Sequence, residues 1–450
     1  MRIAWTAPLF AWESLEDSPS LRSTRELLAS LPDGKLLQAL RRWRGHGQNK
    51  YPVSTLWGVL VLTIGLRHPT VESCLGELRR NEALRRLIGI PSEDKVPRKW
   101  NMSRFVRVLG QEPHWTLLQE MTGEMVGTLS RVVMDLGVET AGDATGLSAR
   151  CEHLEKRSHN PEALPQPTGG KKEYTNEQGV VVRVLEWFGY KLHLLVDKRH
   201  EVVLAWTITP AHTPDNVEFP KLLAQAQKHL PKGRIKTLAY DRAADDENIH
   251  ALLEQSRIAA IIENRSLWKS EPERMLPGAT GRSNIVHDEA GTLFCYDKES
   301  DPPVRHKMAY IGHEPSRGTL KYRCPAKHEG WRCPSADRCN GQRSYGLTVR
   351  VKREIDLRRF PAVPRATKKF ERLYKGRTSV ERVIGRLKVF WGADDGNITG
   401  PERFHAYVGT VMVVHLAFAT LLAAAPRRGA TLGKMNLSPI AKLLRATLRL

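Results

Sequence analysis

A phenol, two cations and a carboxylate recur at regular spacing in one short stretch near the C-terminal end of the chain. The stretch YKGRTSVERVIGRLK places Tyr374, Arg377, Glu381 and Lys388 at offsets 0, 3, 7 and 14. On a helix with about 100° per residue, the other three side chains fall within about 40° of Glu381. The apolar residues cluster roughly 90° away and predict a buried face: Val380, Val383, Ile384 and Leu387. The helix is therefore expected to present one carboxylate and two cations along a single stripe.

The charge of the chain points to a polyanionic partner. Among 450 residues there are 70 Lys and Arg against 49 Asp and Glu, which gives a formal net charge of +21. The excess is concentrated, because residues 342–390 contain 15 Lys and Arg but four Asp and Glu. Clustered cations neutralise phosphates and release counterions, so nucleic acid is the first partner to expect. The alternative is a merely soluble basic protein, in which Arg377 and Glu381 form only a surface ion pair.

Neither export nor membrane insertion is predicted. The opening MRIAWTAPLFAW lacks an adequate apolar core and a small-residue cleavage site. Residues 408–425 form an apolar stretch, but it carries His415 in its middle and has only the minimum spanning length. A buried core helix is expected there, and a basic membrane-associated protein is the distant alternative. Six cysteines without an export signal are expected to be thiols or metal ligands in a reducing cytoplasm.

The hydrophobic period changes near residue 134. From Ser20 to about Val133, short amphipathic segments predict a small helical domain, and Thr70 is placed to begin one of its helices. Its basic faces are typical of domains that bind DNA through a helix, although plain packing modules look similar. Beyond residue 134 the order β-β-β-α-β-α-β is predicted, with a hairpin at DKRH and a helix capped by Thr213 or Asp215. The fold class is therefore α/β, a mixed sheet flanked by helices.

Three acids are placed to meet in this arrangement. Asp143 lies on or just after the first strand, Asp241 ends the fourth, and Glu381 lies on the late helix. If the first strand is central and the fourth pairs beside it, a helix packed across both brings the carboxylates together. They would repel strongly without a cation, and hard oxygen ligands suit a pair of Mg²⁺ or Mn²⁺ ions. In a basic chain, this predicts metal-dependent chemistry on the phosphodiesters of nucleic acid.

Neighbouring acids compete for the first two positions. Asp135 precedes the first predicted strand, whereas Asp245 and Asp246 follow Asp241 closely. We prefer Asp241 because it directly ends an apolar strand, while Asp245 and Asp246 are typical of acids favoured by the dipole at a helix N-terminus. Asp135 stays open as a rival for the first acid on these grounds.

Together, these features resemble a known enzyme family. The order of elements is similar to the RNase H-like fold, and GDATG, LAYDRAADD and YKGRTSVERVIGRLK resemble the DDE transposases of bacterial insertion sequences. Tyr374, Arg377, Glu381 and Lys388 match the family signature Y-(2)-R-(3)-E-(6)-K. An acid followed two residues later by Thr is the family pattern, which favours Asp143 as the first acid.

The resemblance covers about Lys50 to Ala425 and implies specific roles. The implied catalytic triad, which would bind two Mg²⁺ (or Mn²⁺) ions, is Asp143, Asp241 and Glu381. The implied contacts to DNA phosphates are Tyr374, Arg377 and Lys388. The implied reaction is phosphodiester hydrolysis at a transposon end followed by strand transfer into target DNA, by a homodimer in the bacterial cytoplasm at the nucleoid. The alternative is a catalytically inactive, transposase-derived DNA-binding protein.

Four cysteines before the Glu381 helix predict a zinc site. Cys324, Cys333 and Cys339 follow the spacing C-x8-C-x5-C, and Cys295 lies upstream. Thiolates in a reducing compartment suit tetrahedral Zn²⁺, although buried free thiols are the alternative. Three histidines compete with Cys295 as fourth ligand: His306, His313 and His328.

Three residues outside this set have simpler interpretations. Cys74 and Cys151 are interpreted as structural or incidental. Trp331 is either a platform for an unpaired base or a core residue, and core packing is preferred.

These patterns divide the chain into five segments. Residues 1–133 are expected to form a helical DNA-binding domain, and 134–264 the first part of the catalytic domain. Residues 265–370 form an insertion, irregular or β, with the cysteines; 371–425 complete the catalytic domain, and 426–450 form a basic tail.

Overall fold

The structure, a computed structural model, describes residues 19–46, 50–150, 164–175, 180–277, 284–395, 398–424 and 431–432. A mixed sheet is flanked by helices, preceded by a helical region and interrupted by a smaller β-rich unit. The predicted α/β class is therefore confirmed. Cys151, the opening MRIAWTAPLFAW and most of the predicted basic tail lie outside the described residues.

Helices fill the N-terminal part of the described chain, as the amphipathic segments predict. They are α1 Pro19–Ala29, α2 Gly34–Arg44, α3 Val53–Gly65, α4 Val71–Arg80, α5 Glu82–Leu87, α6 Lys99–Leu109 and α7 His114–Val132. Thr70 begins α4 as predicted: its Oγ1 accepts the backbone N–H of Ser73 at 3.0 Å, and the Ser73 Oγ accepts the N–H of Thr70 at 3.2 Å. This reciprocal pair satisfies two donors that the first helical turn leaves open.

The central sheet has six strands in the described residues. They are β1 Glu139–Ser148, β2 Thr168–Thr175, β3 Val181–Asp197, β4 Val203–Pro210, β5 Thr237–Tyr240 and β6 Ala259–Ile262. Their order is β2-β3-β1-β5-β6, and β4 also pairs with β3 through the predicted DKRH hairpin. β1 is antiparallel to β3 and parallel to β5, which confirms the predicted neighbours of the first strand. The sequence does not predict β2, because TGGKKEYT lacks apolar alternation.

Helices α8 Asp215–His229 and α9 Glu247–Gln255 follow β4 and β5, and α14 Pro401–Ala424 closes the described fold. Residues 411–419 of α14 are completely buried. His415 Nε2 accepts the backbone N–H of Val203 at 3.1 Å, and burial lowers the pKa of His415 to about 3, so the ring is a neutral acceptor. By length and composition, α14 is the one helix among the described residues that could cross a bilayer, but most of its apolar stretch is buried inside the protein. The predicted core helix is thus observed here.

The helical part and the sheet share one apolar core. α14 contacts α3, α6 and α7 on one side and β4 on the other. The resulting cluster of buried side chains runs from Leu27 in α1 to Leu432. The domain division at residue 133 stays a prediction, and packing around α14 is continuous across it.

The predicted insertion contains two small sheets with a separate core. Its strands are β7 Glu273–Met275, β8 Ile285–Asp288, β9 Leu293–Asp297, β10 Val304–Lys307, β11 Ala309–Glu314, β12 Thr319–Arg323 and β13 Thr348–Lys352. β7 to β10 form one antiparallel sheet and β11 to β13 another. Two short helices, α10 Pro325–Glu329 and α11 Ala336–Asn340, carry the cysteine-rich segment. Ile285, Leu293 and Leu320 are fully buried in this second core.

A buried ion cluster fastens the segment after β13 to the central sheet. Asp245 Oδ2 pairs with Arg358 at 2.8 Å, and Asp245 Oδ1 pairs with Arg365 at 2.8 Å and with His250 at 3.1 Å. The side chain of Asp245 is completely buried, and each partner is at most 7% exposed. The prediction that Asp245 serves the dipole of a helix is therefore wrong. Its charge is taken up by two guanidiniums that neighbour it only in the folded chain.

Replacing Asp245 with Ala is expected to destabilise the protein by about 3–5 kcal/mol, because Arg358 and Arg365 would stay buried without their carboxylate. Asp246 provides the matched control. Its side chain accepts the N–H of Asn248 at 2.9 Å and caps α9, as predicted, so Asp246→Ala should cost only about 0.5–2 kcal/mol. Urea unfolding of the two variants measures both values, and equal losses would contradict the structural role of Asp245.

Candidate active site

The pairing of β1 with β5 sets Asp143 beside Asp241. The parallel register matches Ala141 with Ala239, and two residues further along, Asp143 comes opposite Asp241. Residues two apart in a strand point to the same face, and neighbouring strands lie about 4.8 Å apart. The two carboxylates therefore approach each other at the carboxyl end of the sheet centre.

Glycines on either side of Asp143 allow aromatic rings to cover β1. A Cβ on Gly142 would lie 2.4 Å from the ring of Tyr240, and a Cβ on Gly146 would lie 2.5 Å from the ring of Trp187. Both contacts are too short for any residue other than glycine unless a ring moves. The rings contribute to the burial of the strand that carries Asp143.

Arg377 joins Asp143 to Glu381. Its Nη1 donates to Asp143 Oδ2 at 3.1 Å, and its Nη2 donates to Glu381 Oε1 at 2.6 Å. The side chains of Asp143 and Arg377 are largely buried, whereas that of Glu381 is 50% exposed. The local ion pair considered as the simpler alternative is thus present, but it extends to an acid on the sheet. Arg377 thus contacts Asp143 and Glu381 directly, and Asp241 lies within electrostatic range of both Asp143 and Arg377.

Burial and repulsion disfavour the ionised form of the two sheet acids. Burial raises the pKa of Asp143 to about 6, and the charge of Asp241 adds to the shift, while the N–H of Ala144 and the charge of Arg377 oppose it. Burial also raises the pKa of Asp241, and the charge of Asp215 acts in the same direction. Both ionised carboxylates therefore favour a nearby cation.

Asp215 is a fourth acid at this site that the sequence analysis misses. It does not cap α8, whose N-cap is Pro214 without a side-chain bond, so both predicted caps are wrong. Its carboxylate instead pairs with Lys191 at 2.8 Å and approaches His193 at 3.5 Å. β1 and β4 are both antiparallel to β3, so their C-terminal ends lie at the same end of the sheet. From this topology, the residues that follow β4, including Asp215, could have been predicted to lie near the site.

The oxygen donors fit a hard divalent cation, but they do not form a ready ligand set. In the described ranges, no group of three or more His, Cys, Asp or Glu side chains is arranged to hold a metal ion. Arg377 hydrogen-bonds both Asp143 and Glu381, so a guanidinium supplies the positive charge between them. Carboxylates that are crowded enough to raise each other's pKa are the donor type that Mg²⁺ and Mn²⁺ prefer.

The helix predicted from Tyr374 to Lys388 is broken, so the single stripe is wrong. α12 Lys368–Lys375 ends before Gly376, and α13 Thr378–Gly385 begins after Arg377. The turn between them is tight, with the N–H of Arg377 donating to the carbonyl of Tyr374 at 2.8 Å. Tyr374 stacks on Phe370, and the Arg377 guanidinium lies 5.9 Å from its ring centre. Tyr374 thus supports Arg377 from α12.

The chain after α13 is also irregular. Residues 386–390 form a π-helical turn, in which the N–H of Trp391 donates to the carbonyl of Arg386 at 3.1 Å. Lys388 leaves this turn toward β1, where its Nζ donates to the carbonyl of Gly146 at 2.7 Å and pairs with Asp394 at 2.7 Å. π-turns inside helices are frequent at functional sites. Lys388 therefore reaches the strand that carries Asp143 by a different route from the one predicted.

Asp135, the rival for the first acid, has partners elsewhere. Its carboxylate pairs with Arg199 and, at 2.9 Å, with His200, both in the turn between β3 and β4. The hydrogen bond from His200 and the charges of His200 and Arg199 outweigh burial and lower the pKa of Asp135. Asp135 is thus bound in an ion cluster that does not include Asp143.

The four cysteines of the insertion come into each other's electrostatic range. Burial raises the pKa of Cys295 to about 12, and the charges of Cys324, Cys333 and Cys339 add to the shift. All described cysteines are free thiols. Each insertion sulfur has an N–H donor near it. Asn340 donates to Cys324 at 3.8 Å and Asn284 to Cys339 at 3.7 Å, while backbone N–H groups serve Cys295 (its own) and Cys333 (from Ser335).

The remaining residues of the predicted cysteine region pack as simpler interpretations expect. Trp331 packs against the second core and lies 4.7 Å from the His306 ring. Cys74 is buried in α4, far from the insertion along the chain, and its thiol donates to the carbonyl of Val59 at 3.8 Å. The common neighbourhood of the four sulfurs favours Cys295 over a histidine in the predicted set.

Comparison with protein families connects this geometry to a known group. A family model described as a transposase DDE domain matches residues 140–417, which is more than half of the chain. The matched region begins in β1 and ends in α14, so it contains the three acids, Arg377 and the β-rich insertion. No curated protein matches the chain.

The raised pKa of Asp143 predicts a pH-dependent cost to stability. Above pH 6 the carboxylate is ionised in both states and destabilises the folded one. Below pH 6 the folded protein takes up a proton first, and below about pH 4 the cost disappears. In metal-free buffer, Asp143→Asn should therefore stabilise the protein at pH 7.5, by at most about 3 kcal/mol, with a smaller gain at pH 4.5.

Asp135→Asn is the control with the opposite sign. The pKa of Asp135 is lowered in the folded protein, so this variant should be less stable at pH 7.5, and the difference should shrink as the pH falls. Denaturant unfolding with a chelator present measures both variants. A destabilised Asp143→Asn protein at pH 7.5 would contradict the crowding of the sheet acids.

Proposed function

The chain belongs to the DDE transposase family, and from this premise we propose that it binds transposon-end DNA, hydrolyses a phosphodiester there and transfers the freed strand to target DNA. The proposal is supported by the contacts of Arg377 with Asp143 and Glu381 and by the position of Asp241 close enough to Asp143 for its charge to act on that carboxyl. Water and then the freed 3′-OH serve as successive nucleophiles at this one site. The net charge of +21 favours a polyanionic substrate.

Enzymes of this family generally depend on divalent metal ions, and the proposed ligands for two Mg²⁺ or Mn²⁺ ions are Asp143, Asp241 and Glu381. When bound, such ions activate the attacking oxygen and stabilise the leaving oxygen. The chain itself fixes where the ligands stand. Asp143 and Asp241 are set by strand register, and half-exposed Glu381 approaches from α13. Because two of these acids have raised pKa values, protons compete with cations for the site at acidic pH.

Arg377 and Lys388 are the proposed phosphate contacts. A planar guanidinium suits two parallel hydrogen bonds to a phosphate, and an ammonium acts as a point charge. Both cations already contact β1: Arg377 contacts Asp143, and Lys388 contacts the carbonyl of Gly146. A phosphate bound beside this part of β1 would replace a carboxylate, that of Asp143 or Glu381, as the partner of Arg377. Tyr374, whose ring centre lies 5.9 Å from the Arg377 guanidinium, is the third proposed contact.

A homodimer that holds two transposon ends, in the bacterial cytoplasm at the nucleoid, completes the proposal. The alternative is a DNA-binding protein derived from such an enzyme without cutting activity. The burial of α14 supports both of these over a membrane protein. Mg²⁺-dependent cleavage distinguishes the two.

The function is tested with the full chain and a supercoiled plasmid that carries its gene with the flanking DNA. The wild-type protein should nick this plasmid in Mg²⁺ or Mn²⁺. Asp143→Asn, Asp241→Asn and Glu381→Gln should each lower the rate at least about 100-fold, since charge stabilisation by metal ions is worth several kcal/mol. Gel electrophoresis of nicked and linear products gives the rates.

Asp246→Asn is the matched control, because this acid follows Asp241 closely but caps α9. It should nick at nearly the wild-type rate. Full activity in all three site variants would sink the assignment of the site. Normal DNA binding by the wild-type protein with no cleavage in either metal would instead establish the inactive DNA-binding alternative.

We also propose a structural zinc ion in the insertion. The four thiols do not form a closed metal site in this structure, but N–H donors lie near each of their sulfurs, and such donors stabilise thiolates bound to a metal. Cys324 lies in the small second core and Cys333 packs against it. A core of this size buries little apolar surface, so a bound ion would add to the stability of the insertion. The ligands would be Cys295, Cys324, Cys333 and Cys339.

Protein purified without chelator should contain about one zinc ion per chain, measured by elemental analysis. Cys333→Ser and Cys339→Ser should lose the zinc and unfold the insertion at lower temperature. Cys74→Ala should retain zinc, because this thiol lies in α4. A zinc-free wild-type protein, or full zinc in both serine variants, would establish the alternative of free thiols.

A further inference from the structure

An open cavity of about 780 Å³ lies between α2, α3 and α6, and the proposed reaction does not use it. Its walls combine indole rings with cationic side chains: Trp43, Trp100, Arg44, Lys50, Arg98 and Arg104. No Asp or Glu lines the cavity in the part of the chain that the structure describes. A ligand that fits this cavity would therefore carry negative charge and a planar ring.

The cationic side chains that line the cavity favour an anionic ligand. Burial and the nearby charge of Arg104 lower the pKa of Arg44, so two like charges face each other here. Arg44 also donates to the backbone carbonyl of Tyr51, which fixes its position. The N-terminal end of α6 contributes the N-cap residue Arg98, Trp100 in the first turn and the positive end of the helix dipole. A phosphate between the two guanidiniums would relieve their repulsion.

The two indole rings that line the cavity favour a ligand with a planar ring that can stack on them. Trp43 is 51% exposed and Trp100 is 61% exposed, although large aromatic side chains are usually buried. The Trp43 ring lies nearly perpendicular to the ring of His114, with 6.3 Å between ring centres. Exposed rings beside a basic groove are the platforms on which unpaired bases stack, and each stacked base contributes about 1–3 kcal/mol.

We propose that this cavity binds one unpaired nucleotide of the transposon-end DNA, with its phosphate between Arg44 and Arg104 and its base against the indoles. The assignment rests on the proposed function, because it presumes a DNA substrate. Paired and stacked bases inside a duplex have no free faces, so an unpaired residue at or beyond a strand end is required. The cavity is of the size that encloses a small ligand, about 300–1,000 Å³, rather than a duplex.

The test uses the full chain and two probes: a blunt duplex, and the same duplex with an unpaired extension that contains 2-aminopurine. Wild-type protein should bind the extended DNA more tightly and quench the 2-aminopurine by stacking. Trp100→Ala and Arg104→Ala should weaken binding of the extended DNA by about 5- to 100-fold and leave the blunt duplex unchanged. Trp100→Phe should keep most of the quenching, because a smaller ring still stacks.

Arg107→Ala is the matched control, since Arg107 is exposed on the same helix but does not line the cavity. It should leave the preference for the extension intact. Equal losses for both probes, or no preference in the wild type, would overturn the proposal, as would a free 2-aminopurine nucleotide that binds as tightly as the extended duplex. If the protein binds the extended duplex preferentially but never nicks DNA, only the proposed reaction is contradicted. If the protein binds neither probe, both the nucleotide site and the proposed function are contradicted.

Discussion

Mutual repulsion among buried carboxylates is the constraint on which the centre of this protein depends. The β1–β5 register fixes Asp143 beside Asp241, and a slip of one residue would turn Asp143 to the opposite face. Burial raises the pKa of both acids, and each is further raised by a neighbouring carboxylate. Arg377 offsets part of this cost through its bonds to Asp143 and Glu381. The fold therefore maintains an arrangement that the side chains alone would avoid.

Two acids on one loop show how the surroundings decide the use of a carboxylate. Asp245 lies four residues after Asp241 and is also buried, but a hydrogen bond from His250 and the charges of Arg365 and Arg358 outweigh that burial and lower its pKa. Its charge is thus fully committed to holding the chain after β13 against the sheet. Among the described residues, Asp241 forms no such pair of arginine ion pairs; burial raises its pKa, and the charge of Arg377 only partly opposes that shift. The continuous apolar core around α14 stabilises the fold against the cost of the Asp241 charge.

The sequence predicts what depends on local pattern and misses what depends on tertiary contact. The apolar strand before Asp241 and the placement of Asp143 on the first strand are both predicted from local pattern, and the core helix follows from its composition. The strand β2 is missed because its residues pair with β3 without an apolar period of their own. Asp215 and Asp245 are read as helix-end acids because their partners, Lys191 and Arg358, lie elsewhere along the chain. Propensity near a helix start cannot distinguish an acid that caps from one that forms a distant ion pair.

The spacing of Arg377 and Lys388 predicts that both cations lie at one site, and this holds although the predicted single straight helix is broken in two places. A tight turn at Arg377 and a wide turn at residues 386–390 replace one regular helix. The first turn aims the guanidinium at Asp143, and the second carries Lys388 to the carbonyl of Gly146. The two cations thus reach the same strand three residues apart, one at each side of Ala144 and Thr145. A phosphate bound there would contact both cations next to the carboxylates, an arrangement that one straight stripe along a helix does not provide.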